Sequence, residues 1–138
     1  EFLPELETAL KEAGARRVLP LKVSGPFHSP MMRPAGEELA KVFAGVSMNP
    51  LKVPYVANIN AEVITDCGRI EGLLVDQVSG SVRWQQSVEE MIRQGVDTFV
   101  EIGPGRTLSG FLRKINRDVK VYQVSTWEDI EKAGKELC

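Results

Sequence analysis

Thr98-Phe99-Val100-Glu101-Ile102-Gly103-Pro104-Gly105 sets the architecture. Thr98 to Ile102 has the composition of a buried strand and runs straight into a Gly-Pro-Gly turn, after which Leu108, Phe111, Leu112 and Ile115 recur at helical spacing. Val119 to Val124 then reads as a further strand. Trp127 to Leu137 reads as a closing helix, with a cap at Ser125 or Thr126. Strands that alternate with helices in this way predict an α/β fold with a largely parallel sheet.

Upstream of this unit the same alternation continues. Trp84 to Gln94 is the clearest helix, with Trp84, Val88, Met91 and Ile92 on one face and Gly95 as its C-cap. Ile70 to Val78 carries Ile70, Leu73, Leu74 and Val78 at helical spacing and ends near Ser79-Gly80. Val53 to Ala57 and Ala61 to Ile64 read as short extended pieces joined by the turn Asn58-Ile59-Asn60. A helix is predicted from Pro30 to Ala44, with Met32, Leu39, Val42 and Phe43 inward, Pro34 tolerated in the first turn and Gly45 as its end. At the front, Phe2, Leu3, Leu6, Leu10 and Ala13 make an amphipathic helix stopped by Gly14. Leu19, Leu21 and Val23 alternate as a strand in which Pro20 suits an edge position. No internal repeat, low-complexity tract or linker interrupts the 138 residues.

Seventeen basic and nineteen acidic residues give a net charge of -2, with no like-charge block of the kind that binds nucleic acid. No apolar run is long enough to span a bilayer, so neither nucleic acid nor membrane is an expected partner, and the expected location is the cytoplasm. Cys67 and Cys138 form no C-x-x-C pair, and with one histidine in the chain they make no metal site. Both are expected as free thiols. Cys67 lies in Thr65-Asp66-Cys67-Gly68, which reads as a loop with nothing to activate a nucleophile.

The sole histidine, His28, follows Gly25-Pro26-Phe27 and precedes Ser29-Pro30, a turn suited to aiming a side chain. Imidazole titrates nearest neutrality, so His28 is the candidate general base. No Gly-x-Ser-x-Gly elbow accompanies it: Ser24, Ser29, Ser81 and Ser109 each lack the flanking glycines, and Ser29 reads as a helix cap. The glycines at 103 and 105 resemble a phosphate cradle only loosely. The third Rossmann glycine would fall at Leu108 and there is no Gly-Lys-Ser/Thr, so a structural turn is the better reading. Arg16-Arg17 and Arg113-Lys114 with Arg117 are small basic clusters able to meet an acidic partner.

Gly25-Pro26-Phe27-His28-Ser29-Pro30-Met31-Met32, then Ser81-Val82-Arg83-Trp84 with Ser87-Val88-Glu89, then Glu101-Ile102-Gly103-Pro104-Gly105 with Leu108, together resemble the malonyl-CoA:acyl carrier protein transacylases. The resemblance runs over nearly the whole chain and matches only the C-terminal part of such an enzyme. The family's Gly-Gln-Gly segment, its Gly-His-Ser-x-Gly elbow and its malonyl-binding arginine have no counterpart here. The chain is therefore expected to be a fragment, a cleaved product or one piece of a longer polypeptide, inactive alone, with the missing N-terminal part as a partner.

The resemblance implies that His28 is the base of a Ser/His pair and that the backbone carbonyl of Gln77 orients its ring. It implies a serine-ester mechanism that takes malonyl from malonyl-CoA, as substrate, to acyl carrier protein, with no metal or bound cofactor. Phe27 would crowd an α-branched acyl group, although core packing accounts for a Phe equally well, and Arg16 and Arg17 match a basic pair near the carrier-protein docking face. For the fold it implies that residues 1–23 are the last helix and strand of a small ferredoxin-like subdomain, and residues 24–138 the C-terminal part of a hydrolase-like α/β core. The competing readings are an acyltransferase domain of a polyketide or multifunctional fatty acid synthase, and a non-catalytic remnant that binds carrier protein. Pro26 and the short tail favour a stand-alone bacterial-type enzyme.

Overall fold

The computed structural model describes residues 3–20 and 23–137; Phe2, Leu21 and Cys138, each singled out above, lie outside the described residues. Helix α1, Leu3–Glu12, ends as Gly14 predicts: Gly14 takes φ +95° and the Ala15 amide reaches back to the Leu10 carbonyl. The predicted strand does not form over Val18 to Pro20 or at Val23. Pro20 has no amide to donate, and neither ladder among the described residues includes this segment. Leu3, Leu6 and Leu10 instead line an apolar groove together with Val18, Leu19 and Val23.

The helix expected from Pro30 begins as a 3-10 turn, Pro30–Met32, and continues as α2, Arg33–Phe43. Pro34 falls in the first turn, where its missing amide would have had no partner. Met32, Leu39 and Phe43 are half-buried, but Val42 is 64% exposed, against expectation. The seam of α2 is centred on buried Gly36, with Met32, Leu39 and Phe43 on its side of the helix. At 3.6 residues per turn Val42 stands about a quarter turn away from that stripe.

Strands β1, Tyr55–Val56, and β2, Val63–Ile64, form a short antiparallel ladder that pairs Tyr55 with Ile64 and Val56 with Val63. They are shorter than predicted because Pro54 interrupts the first, leaving Val53 72% exposed. The turn between them is closed by Ala57 N–H donating to Glu62 O and Ala61 N–H to Ala57 O. Residues 67–69 make a 3-10 turn rather than a loop, because the Asp66 carboxylate accepts from the Gly68 amide at 2.8 Å and caps it. Helix α3, Ile70–Ser79, follows and stops at Gly80. A Cβ on Gly36 would stand 3.2 Å from the Val75 carbonyl and 3.8 Å from Val78 Cβ, so α2 and α3 approach closely at this point.

Helix α4, Trp84–Arg93, buries Val88 completely and ends at Gly95, where φ is +93°. The Gly95 amide donates to Ile92 O and the Val96 amide to Met91 O, the paired bonds of a left-handed cap. Strand β3, Thr98–Ile102, helix α5, Thr107–Ile115, and strand β4, Lys120–Val124, form the βαβ unit read from the sequence, with Thr98 beside Lys120 and Ile102 beside Val124 in parallel register. Helix α6, Trp127–Leu137, is capped at Thr126: Thr126 Oγ1 accepts from the Asp129 amide, and the Asp129 carboxylate accepts from the Ser125 and Thr126 amides.

The parallel pair and the antiparallel pair do not join into one sheet, and β3 is not buried on both faces. Ile102 is 82% and Val100 41% exposed. The cause is the period-2 alternation of a strand. Glu101 points toward α5 on one face, while α6 packs against β4 on the other, where Val124 is buried. The half of that face belonging to β3 is left open.

Candidate active site

His28 is delivered by a turn that stores strain. It takes φ +57°, a left-handed value that a non-glycine residue adopts at a cost of about 1–3 kcal/mol. Ser29 occupies the cap position of the following 3-10 turn by its backbone, but its hydroxyl makes no cap bond. It donates backward to Pro26 O at 2.6 Å and closes the turn from inside, which corrects the reading of Ser29 as a side-chain cap.

The exposed His28 side chain meets the end of α3. Nδ1 lies 2.9 Å from Gln77 O and 3.2 Å from Gly80 O. The last carbonyls of a helix have no amide four residues on to accept from, so Gln77 O remains available, and Gly80 O lies just past the helix end. A carbonyl oxygen only accepts; with two of them facing Nδ1, that nitrogen carries the proton and Nε2 holds the free lone pair. Gln77 contributes by its backbone alone. The contact to Gly80 has no signature in the sequence, because any residue supplies a carbonyl.

Phe27 beside the base is 57% exposed, with its ring folded over Gly25. Among the described residues it packs into no core. Arg16 and Arg17 are exposed in the segment after α1 and join none of the ion pairs among the described residues. No hydrogen bond ties either of them to the His28 turn. Cys67 precedes α3, at the end opposite the carbonyls that hold His28, and ten helical residues span about 15 Å. Cys67 and His28 do not form a pair.

Glu101 is a structural carboxylate that the sequence reading passed over. It accepts from the Leu108 amide at 3.1 Å, the Ser109 amide at 2.8 Å and the Ser109 hydroxyl at 2.5 Å. The Ser109 hydroxyl first, then the amides of Ser109 and Leu108, hold its carboxyl below the ordinary value of 4.5 against a smaller opposing effect of desolvation. A resident carboxylate therefore fills the anion-binding end of α5, and the Gly103-Pro104-Gly105 turn is structural. That turn is pinned further by Gln123 Nε2 and Ser125 Oγ, both donating to Gly103 O. The available signal was a Glu two residues before the first glycine of the turn, within reach of the first amides of the next helix.

Arg113, Lys114 and Arg117 line a shallow depression with Val119 and Val121, and join none of the ion pairs among the described residues. No group of three His, Cys, Asp or Glu side chains among the described residues is placed to hold a metal ion. No helix among them is long and apolar enough to cross a membrane.

No family model matches the chain. Individual relatives do. The chain is 45% identical over 127 residues to the malonyl CoA-acyl carrier protein transacylase of Bacillus subtilis (strain 168), covering 92% of this chain and 40% of that protein. It superposes with a TM-score of 0.90 and 39% identity on an acyl-carrier-protein-S-malonyltransferase from Bartonella henselae, covering 97% of this chain and 43% of that one. It superposes equally well, at TM-score 0.90 and 34% identity, on a malonyl-transacylase solved with its type II PKS acyl-carrier protein, again covering 97% and 43%. The chain thus spans about two fifths of the length of the relatives it matches. By sequence, by fold and by the order of its motifs, the chain belongs to the malonyl-CoA:acyl carrier protein transacylase family and corresponds to the C-terminal part of its members.

Proposed function

We propose that this chain carries the general base of an enzyme that moves a malonyl group from malonyl-CoA to the phosphopantetheine thiol of acyl carrier protein through a serine ester. The observation that carries the reading is the His28 Nδ1–H held by Gln77 O at 2.9 Å, which leaves Nε2 as the free base on an exposed ring. Nε2 takes the serine hydroxyl proton as the serine oxygen attacks the malonyl thioester, then returns it to the departing coenzyme A thiolate. In the second half-reaction it takes the proton of the carrier thiol and gives it back to the serine oxygen. Where other triads place an Asp, two carbonyl dipoles hold the ring and face the imidazolium that forms.

The serine is not among these 138 residues in any elbow, so it comes from the part of the relatives that the chain does not span. These residues by themselves do not turn over malonyl-CoA. In this scheme residues 1–23 end a small ferredoxin-like subdomain and residues 24–138 complete the hydrolase-like core. Phe27 limits branching at the acyl α-carbon, Arg16 and Arg17 meet the acidic carrier protein, and the setting is cytoplasmic. Each half-reaction is a balanced exchange of thiol and ester in which neither metal nor bound cofactor takes part.

The test is to mix full-length protein with malonyl-CoA and follow its intact mass. One covalent malonyl group should appear and be discharged by carrier protein. Transfer without any acyl-enzyme would overturn the mechanism.

A further inference from the structure

We propose that Gly80 and Ile59 act together as positioning residues for the base, with the turn between β1 and β2 setting where the second carbonyl holds the His28 ring. The proposal rests on the reading of His28 as the base, and it concerns how that base is held. One N–H is shared by two acceptors, Gln77 O at 2.9 Å and Gly80 O at 3.2 Å. The first belongs to α3. The second lies just past its end, on a residue that α3 holds by its amide but not by its carbonyl.

Gly80 takes φ −95° and ψ 157°, an extended conformation open to any residue, so glycine is not required there for its dihedral freedom. Space requires it. A Cβ on Gly80 would stand 2.0 Å from Ile59 Cδ1, 3.3 Å from Ile59 Cγ1 and 3.1 Å from Asp76 O. The turn that presents Ile59 is itself held, through Ala61 N–H to Ala57 O at 2.9 Å and Glu62 N–H to Asn60 Oδ1 at 3.1 Å. It is also bonded to the segment it braces, since Arg83 N–H donates to Asn58 O at 2.8 Å. The reversal from α3 into α4 is thus pressed between its own helix, where Gly80 N–H donates to Asp76 O, and the Ile59 side chain. Its carbonyl is left aimed at Nδ1. A methyl group at position 80 must displace either Ile59 or that carbonyl.

The experiment uses the full-length protein and two readouts: steady-state malonyl transfer, and nitrogen NMR of labelled histidine with the His28 signal assigned by its loss in His28→Gln. Gly80→Ala should lower kcat by about tenfold or more, as expected for a misplaced catalytic group, with little change in KM for malonyl-CoA. It should also weaken protection of the Nδ1 proton from exchange with water. Adding Ile59→Val, which removes Cδ1 and keeps the rest of the contact, should restore both kcat and protection. Ile59→Ala alone, a change at a half-buried turn residue outside α3 and α4, should speed Nδ1 proton exchange and covers the case in which Gly80→Ala does not fold. Wild-type exchange in Gly80→Ala or Ile59→Ala, or a Gly80→Ala defect that Ile59→Val does not relieve, would overturn the proposal. The NMR arm is independent of chemistry: if His28→Gln retains full activity, the base reading fails while the exchange result still decides how the ring is held.

Discussion

Gly36→Leu should both destabilise the protein and slow the chemistry, because the α2–α3 seam also sets the distance from His28 to its carbonyls. A Cβ at position 36 already stands 3.2 Å from the Val75 carbonyl, a backbone atom that cannot swing away. Alanine there is close to neutral, since the tight contact is offset by about 0.5–1 kcal/mol gained on replacing a mid-helix glycine. Leucine adds three more carbons into the same seam. Overpacking of this kind costs about 1–3 kcal/mol, and the better helix propensity returns under about 1 kcal/mol, for a net loss of up to about 2 kcal/mol. The helices must part. His28 enters α2 through Pro30, whereas Gln77 lies at the end of α3, so opening the seam stretches the bond between them. A displacement of roughly 0.6 Å along that line takes the 2.9 Å contact to 3.5 Å, beyond a useful hydrogen bond. Urea unfolding of Gly36→Ala and Gly36→Leu in the full-length protein, alongside kcat for malonyl transfer, measures both effects. A Gly36→Leu protein as stable and as active as the wild type would refute the coupling.

Three further outcomes follow. Val88→Ala removes two methyl groups from the side chain with 0% exposure and should cost about 2–3 kcal/mol in denaturant unfolding with an unchanged m-value. Glu101→Gln should lower Tm at neutral pH. The folded carboxyl titrates below its ordinary value of 4.5, so its contribution is complete above that pH and fades as the pH falls through the lower folded value; the Tm gap between variant and wild type should close on acidification. Reversing charge at Arg16→Glu and Arg17→Glu should raise KM for carrier protein and leave KM for malonyl-CoA unchanged, and equal effects on both substrates would count against a docking role.

The helices were legible where a local chemical signal marks an end. Gly14, Gly95 and Thr126 each do so through a left-handed turn or a side-chain cap that needs no tertiary partner. The βαβ unit was legible for the same reason, as a strand and a helix joined by glycines with positive φ at 103 and 105. What failed depended on neighbours. Leu19 and Val23 alternate like a strand, yet alternation without a partner strand makes no ladder. Val100 and Ile102 have the character of buried residues, but α6 covers only β4. Val42 was placed inward on hydrophobicity, whereas the seam of α2 is organised around a glycine. His28 stood out as the one histidine on a turn of glycine and prolines. Gln77 came from the family resemblance alone, and the Gly80 carbonyl and the Ile59 brace had no signal in the sequence, since backbone groups and close contacts are invisible until the chain is folded.

The central claim is that His28 Nε2 is the base that activates an acyl-accepting serine, and single-turnover acylation of the full-length protein by malonyl-CoA tests it most directly. His28→Ala should slow formation of the malonyl ester by about 10²–10⁴-fold while the fold and malonyl-CoA binding are retained. Ester formation within threefold of the wild-type rate would contradict it.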